Sequence, residues 1–215
     1  MNPNGVSAAA EAIVEHGGKA LAVECDITNP DEASRAVDLA IKRFGAPDAL
    51  VNNAGINQIG PALEADIDLW RKVVDVNLVG TYLMSRSVAS RMIAREAGSI
   101  VNVASIHGSV APAFHFASAY AASKAGVIGL TRALAVEWGK YSLRVNALAP
   151  GFVKTEMTKS RLDDPAYLAR IADRSPIPRT IEIAELTGAL HYLISDASRM
   201  VTGQTLSVDG GWLAV

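Results

Sequence analysis

The sequence predicts an α/β fold: a doubly wound, mostly parallel sheet with helices on both faces. Three observations predict it. Helical and strand patterns alternate almost from end to end. The strands are short apolar runs, as in parallel sheets buried on both faces. One long proline-bearing segment, 152–180, follows a strand's C-terminal end, the edge where open α/β sheets bind ligands. With 215 residues, 50% of them apolar, the chain suffices for one domain spanning 1–215. No internal repeat, low-complexity tract or linker divides it.

Each element follows from its residues. The stretch "SAAAEAIVEHGG" reads as a helix closed by Gly17 and Gly18. "KALAVEC" reads as a short strand at 20–25. "NPDEASRAVDLAIKRFG" has Asn29 as N-cap, Pro30 at the first helical position and Gly45 at the end. Asn29 and Glu32 have capping-box spacing. "DALVNNAG" is a strand entering a tight turn at Gly55. Residues 66–95 read as one long helix. "SIVNVAS" is a strand, and "SAYAASKAGVIGLTRALAVEWG" a helix. The strand "LRVNALAPG", the segment 152–180, the helix "IEIAELTGALHYLIS" and the strand "QTLSVDGG" complete the chain.

Composition excludes several classes. The net charge of −2 gives no sign of a nucleic-acid partner. No apolar run is long enough to span a bilayer, and the start lacks a signal-peptide pattern. The one cysteine, Cys25, reads as a buried thiol in a reducing compartment. A cytoplasmic location is expected, and no metal site.

The chemistry centres on Tyr120 and Lys124. Four residues apart on a helix, they share one face. A free phenol has a pKa of about 10, too high for proton exchange near neutrality. A neighbouring ammonium favours the phenolate and lowers that value. The pair is thus expected to pass a proton to a carbonyl oxygen or take one from an alcohol. Ser105 closes a strand at the ligand-binding edge, where it forms a turn or steadies the same oxygen. Asn77 sits inside a helix, where an amide is mildly unfavourable and ordinarily faces solvent or bonds its own backbone. It could instead hold a water that relays protons to Lys124.

Taken together, these residues resemble the short-chain dehydrogenase/reductase family, classical type. The matches run in order: "CDIT", "NNAG" at 52–55, "DVNLVG" with Asn77, "NVAS" with Ser105, "YAASK" with Tyr120 and Lys124, "APGFVKT" at 149–155, and "SVDGGW". The resemblance implies a Rossmann-like fold and an NAD- or NADP-dependent oxidoreductase acting on a small carbonyl/alcohol pair. It casts Tyr120 as general acid/base, with Lys124 as its pKa partner and a ligand of the cofactor ribose. Ser105 becomes the second contact to the substrate oxygen, and Asn77 the water-holding relay. It places Asp26 and Ile27 at the adenine and Asn53, Ala54 and Gly55 beside the adenosine ribose. Pro150, Gly151, Val153 and Thr155 fall against the nicotinamide.

The family opens with a strand, a glycine-rich turn and a helix, where the pyrophosphate meets backbone N–H groups. None of the 17 glycines falls in that pattern. The chain is therefore expected to be N-terminally truncated relative to the family, by roughly 30 to 35 residues judged from a βαβ unit. Two alternatives follow: a cofactor-deficient, non-enzymatic remnant, and an isomerase or dehydratase that uses no nicotinamide. The strands at 20–25 and 49–52 are expected either to pair or to leave an open edge. The loop from Ser105 to Tyr120 is longer than the family's and is expected to bulge, bringing His107 or His115 towards the pocket. The segment 152–180 is expected to act as a substrate lid. It carries Met157, Leu162, Tyr167, Ile171 and Ile177, which suit a partly apolar substrate. Its arginines, Arg161, Arg170, Arg174 and Arg179, are either solvated or meet an anionic group. Asp163 and Asp164 read as a helix start before Pro165. Val127, Leu130, Leu134 and Trp138 spread apolar surface around the Tyr120 helix, suggesting a homo-oligomer, dimer or tetramer.

Overall fold

The computed structural model describes residues 3–215. Its sheet has four parallel strands in the order β1 (Ala49–Asn52), β2 (Gly98–Val103), β3 (Leu143–Pro150), β4 (Thr205–Val208). Helix α1 spans Pro3–Glu15 and α2 Pro30–Phe44. Helices α3 (Ile67–Val74) and α4 (Gly80–Ile93) follow, then α5 (Ser118–Trp138). The segment after β3 holds α6 (Lys159–Leu162) and α7 (Pro165–Arg174), and α8 (Ile183–Ile194) precedes β4.

Adjacent residues of β2 show why both faces are covered. Ile100 packs with Met92 of α4 and Leu134 and Trp138 of α5. Val101 points the other way and packs with Leu148 and Leu193 of α8. Strand side chains alternate between faces, so an apolar run such as "SIV" needs helices on both. Buried amides pin the register. Asn52 Nδ2 donates to Asn102 Oδ1 at 2.9 Å, and Asn102 Nδ2 donates to Thr131 Oγ1 at 3.0 Å, tying β1, β2 and α5.

Caps act as the residues dictate. Asn29 Oδ1 accepts from the Asp31 and Glu32 amides at the start of α2. The reciprocal half of the expected capping box is absent, because the Glu32 carboxylate accepts from the Asp26 amide instead. At the end of α1, Gly17 adopts φ 82°. Gly18 N–H donates to the Ile13 carbonyl and Gly17 N–H to that of Val14, the double bond of a Schellman motif.

Two expectations are corrected. Residues 18–26 form no strand. "KALAVEC" has the composition of one, but β1 pairs only with β2 among the described residues, so β1 is the sheet's edge. A strand without a partner leaves its backbone groups to water. Second, the helix over 66–95 is not uniformly α-helical. Asp75–Val79 is a π-turn, in which the Gly80 N–H reaches back five residues to the Asp75 carbonyl. The oligomer argument also loses its named side chains. Val127, Leu134 and Trp138 are buried in the chain's own core, and Leu130 packs against it. No helix among the described residues is long and apolar enough to cross a membrane.

Candidate active site

Three elements end at the same edge of the sheet. β2 runs into Ser105, which caps the short turn Ile106–Gly108 by accepting the His107 amide. α5 begins at Ser118 and brings Tyr120 and Lys124 along one face. β3 ends at Pro150, leading into Gly151. Ser105, Tyr120 and Gly151 line one cavity of about 60 Å³, with Asn57, His107, His115 and lid residues including Met157, Arg161 and Tyr167. Gly151 fits because a Cβ there would come within 2.9 Å of Asp209 Cα.

The Lys124 ammonium donates to the Val103 carbonyl at 2.6 Å and lies 5.6 Å from the Tyr120 ring centroid. Burial lowers its pKa to about 8, so it is mostly cationic at neutrality. Tyr120 is raised above the ordinary phenol value. Burial dominates, while the Ser105 hydroxyl and the Arg161 charge act in the opposite direction. The expected lowering by Lys124 is not among the causes acting on this phenol. A protonated phenol is the form that donates to a ketone oxygen.

Asn77 lies fully buried in the π-turn. Its Oδ1 accepts the Ile56 amide at 2.8 Å, and its Nδ2 donates to the Ile56 carbonyl and to Ser123 Oγ. The amide thus clasps the loop after β1 like a strand partner, which offsets its poor fit in a regular helix. Gly55 is held between these groups: a Cβ would stand 3.2 Å from Asn77 Oδ1 and 3.6 Å from Lys124 Nζ.

A second cavity, about 990 Å³, opens beside β1 and is lined by Asp26, Ile27, Ala54 and Gly55 together with Cys25, Arg35 and Lys72. Asp26 is exposed and accepts from the Thr28 amide and hydroxyl, which lower its pKa. Ile27 packs so close to Gly80 that a Cβ there would meet Ile27 Cδ1 at 2.7 Å. Cys25 is buried, and burial raises its pKa. Asn53 is exposed beside this cavity without lining it. Val153 is buried and bridged to Ile181. Thr155 is exposed, its N–H donating to Thr158 Oγ1.

The loop after Ser105 brings both histidines to the small cavity. Their rings meet edge-on with centroids 5.5 Å apart, and Tyr167 Oη lies 3.1 Å from His115 Nδ1. Burial, then the Arg161 charge, lowers both to about 4, so both are neutral near pH 7. Within 152–180, Leu162, Tyr167 and Ile171 form a small core with Phe114 and Phe152, while Ile177 is exposed. Asp164 caps α7 by accepting the Ala166 amide. Three of the four arginines there have partners: Arg170 stacks on Phe114, Arg174 on Trp212, and Arg179 pairs with Glu185. Sequence spacing did not single out Asn57 or separate Arg161 from the other three.

Comparison with known proteins identifies the family. The family model described as enoyl-(acyl carrier protein) reductase matches residues 1–213. Galactitol 2-dehydrogenase (L-tagatose-forming) of Cereibacter sphaeroides is 41% identical over 208 residues, 96% of this chain and 82% of that protein. The 5-keto-D-gluconate 5-reductase of Escherichia coli K12 is 38% identical over 205 residues, 95% of this chain and 80% of that protein. The crystal structure of a gluconate 5-dehydrogenase from Burkholderia cenocepacia in complex with NADP and tartrate superimposes with a TM-score of 0.94 at 35% identity, covering 100% of this chain and 83% of that one. A short-chain type dehydrogenase/reductase from Mycobacterium marinum gives a TM-score of 0.94 at 32% identity, with 100% and 84% covered. The family match over residues 1–213 and the shared parallel α/β fold lead to one conclusion: the chain belongs to the short-chain dehydrogenase/reductase family.

Proposed function

We propose that this chain is an NAD- or NADP-dependent oxidoreductase that interconverts a ketone and a secondary alcohol. The observation that carries the reading is the shared cavity of Ser105 and Tyr120 at the C-terminal sheet edge, with Lys124 one turn further along α5. The residues suit such a cofactor. The cavity at Asp26, Ile27, Ala54 and Gly55 has the volume for a large ligand, and the bare Cα of Gly55 leaves space beside Lys124. Asn53, Pro150, Val153 and Thr155 enter by resemblance. The nicotinamide would supply or accept the hydride.

The protein's own groups handle the proton. In reduction, the Tyr120 hydroxyl gives its proton to the ketone oxygen as that oxygen gains charge. Ser105 Oγ donates a second hydrogen bond to the same oxygen and holds the carbonyl in place. In the reverse direction Tyr120 accepts the alcohol proton. Lys124 keeps a positive charge beside the phenol, with N–H groups left for the cofactor ribose. Asn77, cast by the resemblance as a water-holding relay, has both side-chain polar atoms engaged by Ile56 and Ser123, which supports a positioning role instead: by holding Ile56 it fixes the loop that carries Gly55 against Lys124.

The relatives frame the substrate. One is named for galactitol, a neutral polyol, and another for 5-keto-D-gluconate, which carries a carboxylate. A small carbonyl or alcohol is the class proposed here, with 152–180 as a lid in one domain. We also propose a cytoplasmic homo-oligomer. Val79, Tyr82 and Val136, exposed on the helical layer, support association.

Absorbance at the reduced-nicotinamide band, with NAD and NADP and a polyol and aldonate panel, tests this reading. Turnover is expected in the wild type. Tyr120→Phe should reduce it by roughly 10²- to 10⁴-fold while leaving cofactor affinity within about twofold. Undiminished turnover in Tyr120→Phe would refute it.

A further inference from the structure

Unpaired buried polar atoms are rare in folded proteins, and each marks a site of interest. Among the described residues, buried side-chain atoms without a partner belong to five residues: Asn57, His107, Arg161, Thr205 and Trp212. Three of the five line the Tyr120 cavity. They are Asn57 Oδ1, His107 Nδ1, and both Nε and Nη1 of Arg161. Arg161 is half-buried, and its two shielded N–H groups have neither a hydrogen-bond acceptor nor a counter-charge, which costs free energy.

No nearby acid relieves it. Asp163 is taken by Lys154 and Lys159, at 2.7 and 2.6 Å. Asp164 caps α7. The other three lid arginines are stacked or paired, as described above. The Arg161 charge nonetheless acts on Tyr120, His107, His115 and Tyr167, so it lies within electrostatic reach of the reacting oxygen.

We infer that Arg161 is a specificity-determining residue that binds a carboxylate, and that the substrate is a small hydroxy acid and its oxo acid. This rests on the reading of the Tyr120 cavity as the substrate site. The planar guanidinium has two forked edges, Nε–H with Nη2–H and Nη1–H with Nη2–H; each includes one of the unpartnered groups, and either matches the two oxygens of a carboxylate. A dianionic phosphate fits less well. Arg161 is the one cation lining the cavity apart from two histidines that burial holds neutral, so a single charge is matched. Asn57 Oδ1 can accept from a substrate hydroxyl. His107 Nδ1 can pair with another, donating or accepting according to its tautomer. The enclosed volume of about 60 Å³ surrounds only the reacting end and its neighbouring groups.

The test uses gluconate and glucitol, which differ at C1 by a carboxylate in place of a hydroxymethyl group. Binding to the full chain is measured by calorimetry, without cofactor and, in the Tyr120→Phe background, with NADP. Gluconate should bind roughly 10- to 100-fold more tightly than glucitol, the range for a charge-assisted pair. Arg161→Gln should bring the two affinities within about twofold. Arg161→Lys, which keeps the charge but loses the fork, should restore part of the preference. It also serves as the working variant if Arg161→Gln fails to fold. A wild type that binds both equally, binds neither, or keeps its preference in Arg161→Gln overturns the inference. A gluconate preference without any NAD- or NADP-linked oxidation would leave the carboxylate site standing and defeat the redox reading. Equal oxidation of gluconate and glucitol would do the reverse.

Discussion

Two regions flank the strand ends, and they are built differently. Behind Tyr120, the framework groups are buried and held: Lys124 by Val103, Asn77 by Ile56 and Ser123, and Asn102 by Thr131. Around Asp26, the chain runs without regular structure from 18 to 26, beside the free edge of β1. There Asp26 is exposed, and Val51 of β1 is 38% exposed. The contrast separates rigidity from access. Positioned proton chemistry needs groups fixed to within fractions of an ångström, which buried hydrogen bonds provide. A long ligand needs an open trough, which a free sheet edge provides.

The largest effect that would sharpen this contrast is on the closed side. Asn77→Leu strips partners from the Ile56 amide and carbonyl. It should destabilise the chain by about 2–4 kcal/mol in urea unfolding, with loss of any turnover. A loss under about 1 kcal/mol would show that water serves Ile56 equally well.

The histidine pair gives the next effect, and its sign is fixed. His107 and His115 have folded pKa values of about 4 against an ordinary 6.5. Unfolding therefore takes up protons within that window, so stability should fall as pH drops from 6.5 towards 4. The carboxylates of Asp163 and Glu185, held at about 2, act at lower pH, mostly below 4. Unfolding midpoints at a series of pH values read the slope, and His115→Gln should flatten it. An unchanged slope would place the dependence elsewhere.

The open side should respond least. Asp26→Ala removes an exposed carboxylate bonded only to Thr28. It should change stability by less than about 0.5 kcal/mol. NADP affinity should weaken by roughly five- to tenfold if Asp26 touches the adenine. A stability loss as large as that of Asn77→Leu would erase the distinction between the regions.

Much of this was legible in the residues. The alternation of apolar runs and capped helices located β1 to β4, because a strand buried on two faces and a helix with Asn29 and Pro30 at its start write their physics locally. The Ser105, Tyr120 and Lys124 edge followed from spacing and resemblance, as did Asn77's oddity in a helix. What stayed hidden depends on partners distant in sequence. "KALAVEC" has strand composition, but pairing needs a neighbour, which composition does not carry. The π-turn at Asp75–Val79 holds Asn77 where it bonds Ile56, 21 residues earlier, a contact that local sequence does not carry. Four arginines share one segment, and only packing shows that three are satisfied while Arg161 faces the cavity. The same limit applied to Val127, Leu134 and Trp138, whose apolar character suits an interface and a core equally well.

The account turns on the proton and the hydride taking separate routes, the proton through Tyr120 and the hydride to nicotinamide. The most direct test follows deuterium. An alcohol substrate deuterated at the carbinol carbon is oxidised by the full chain with NADP or NAD, and the recovered cofactor is analysed by mass spectrometry and NMR. The account predicts one deuterium per turnover on nicotinamide C4, none in solvent, and transfer slowed by roughly 10²- to 10⁴-fold in Tyr120→Phe. Deuterium released to water, or product formed with no label on the cofactor, would contradict it and point to isomerase or dehydratase chemistry.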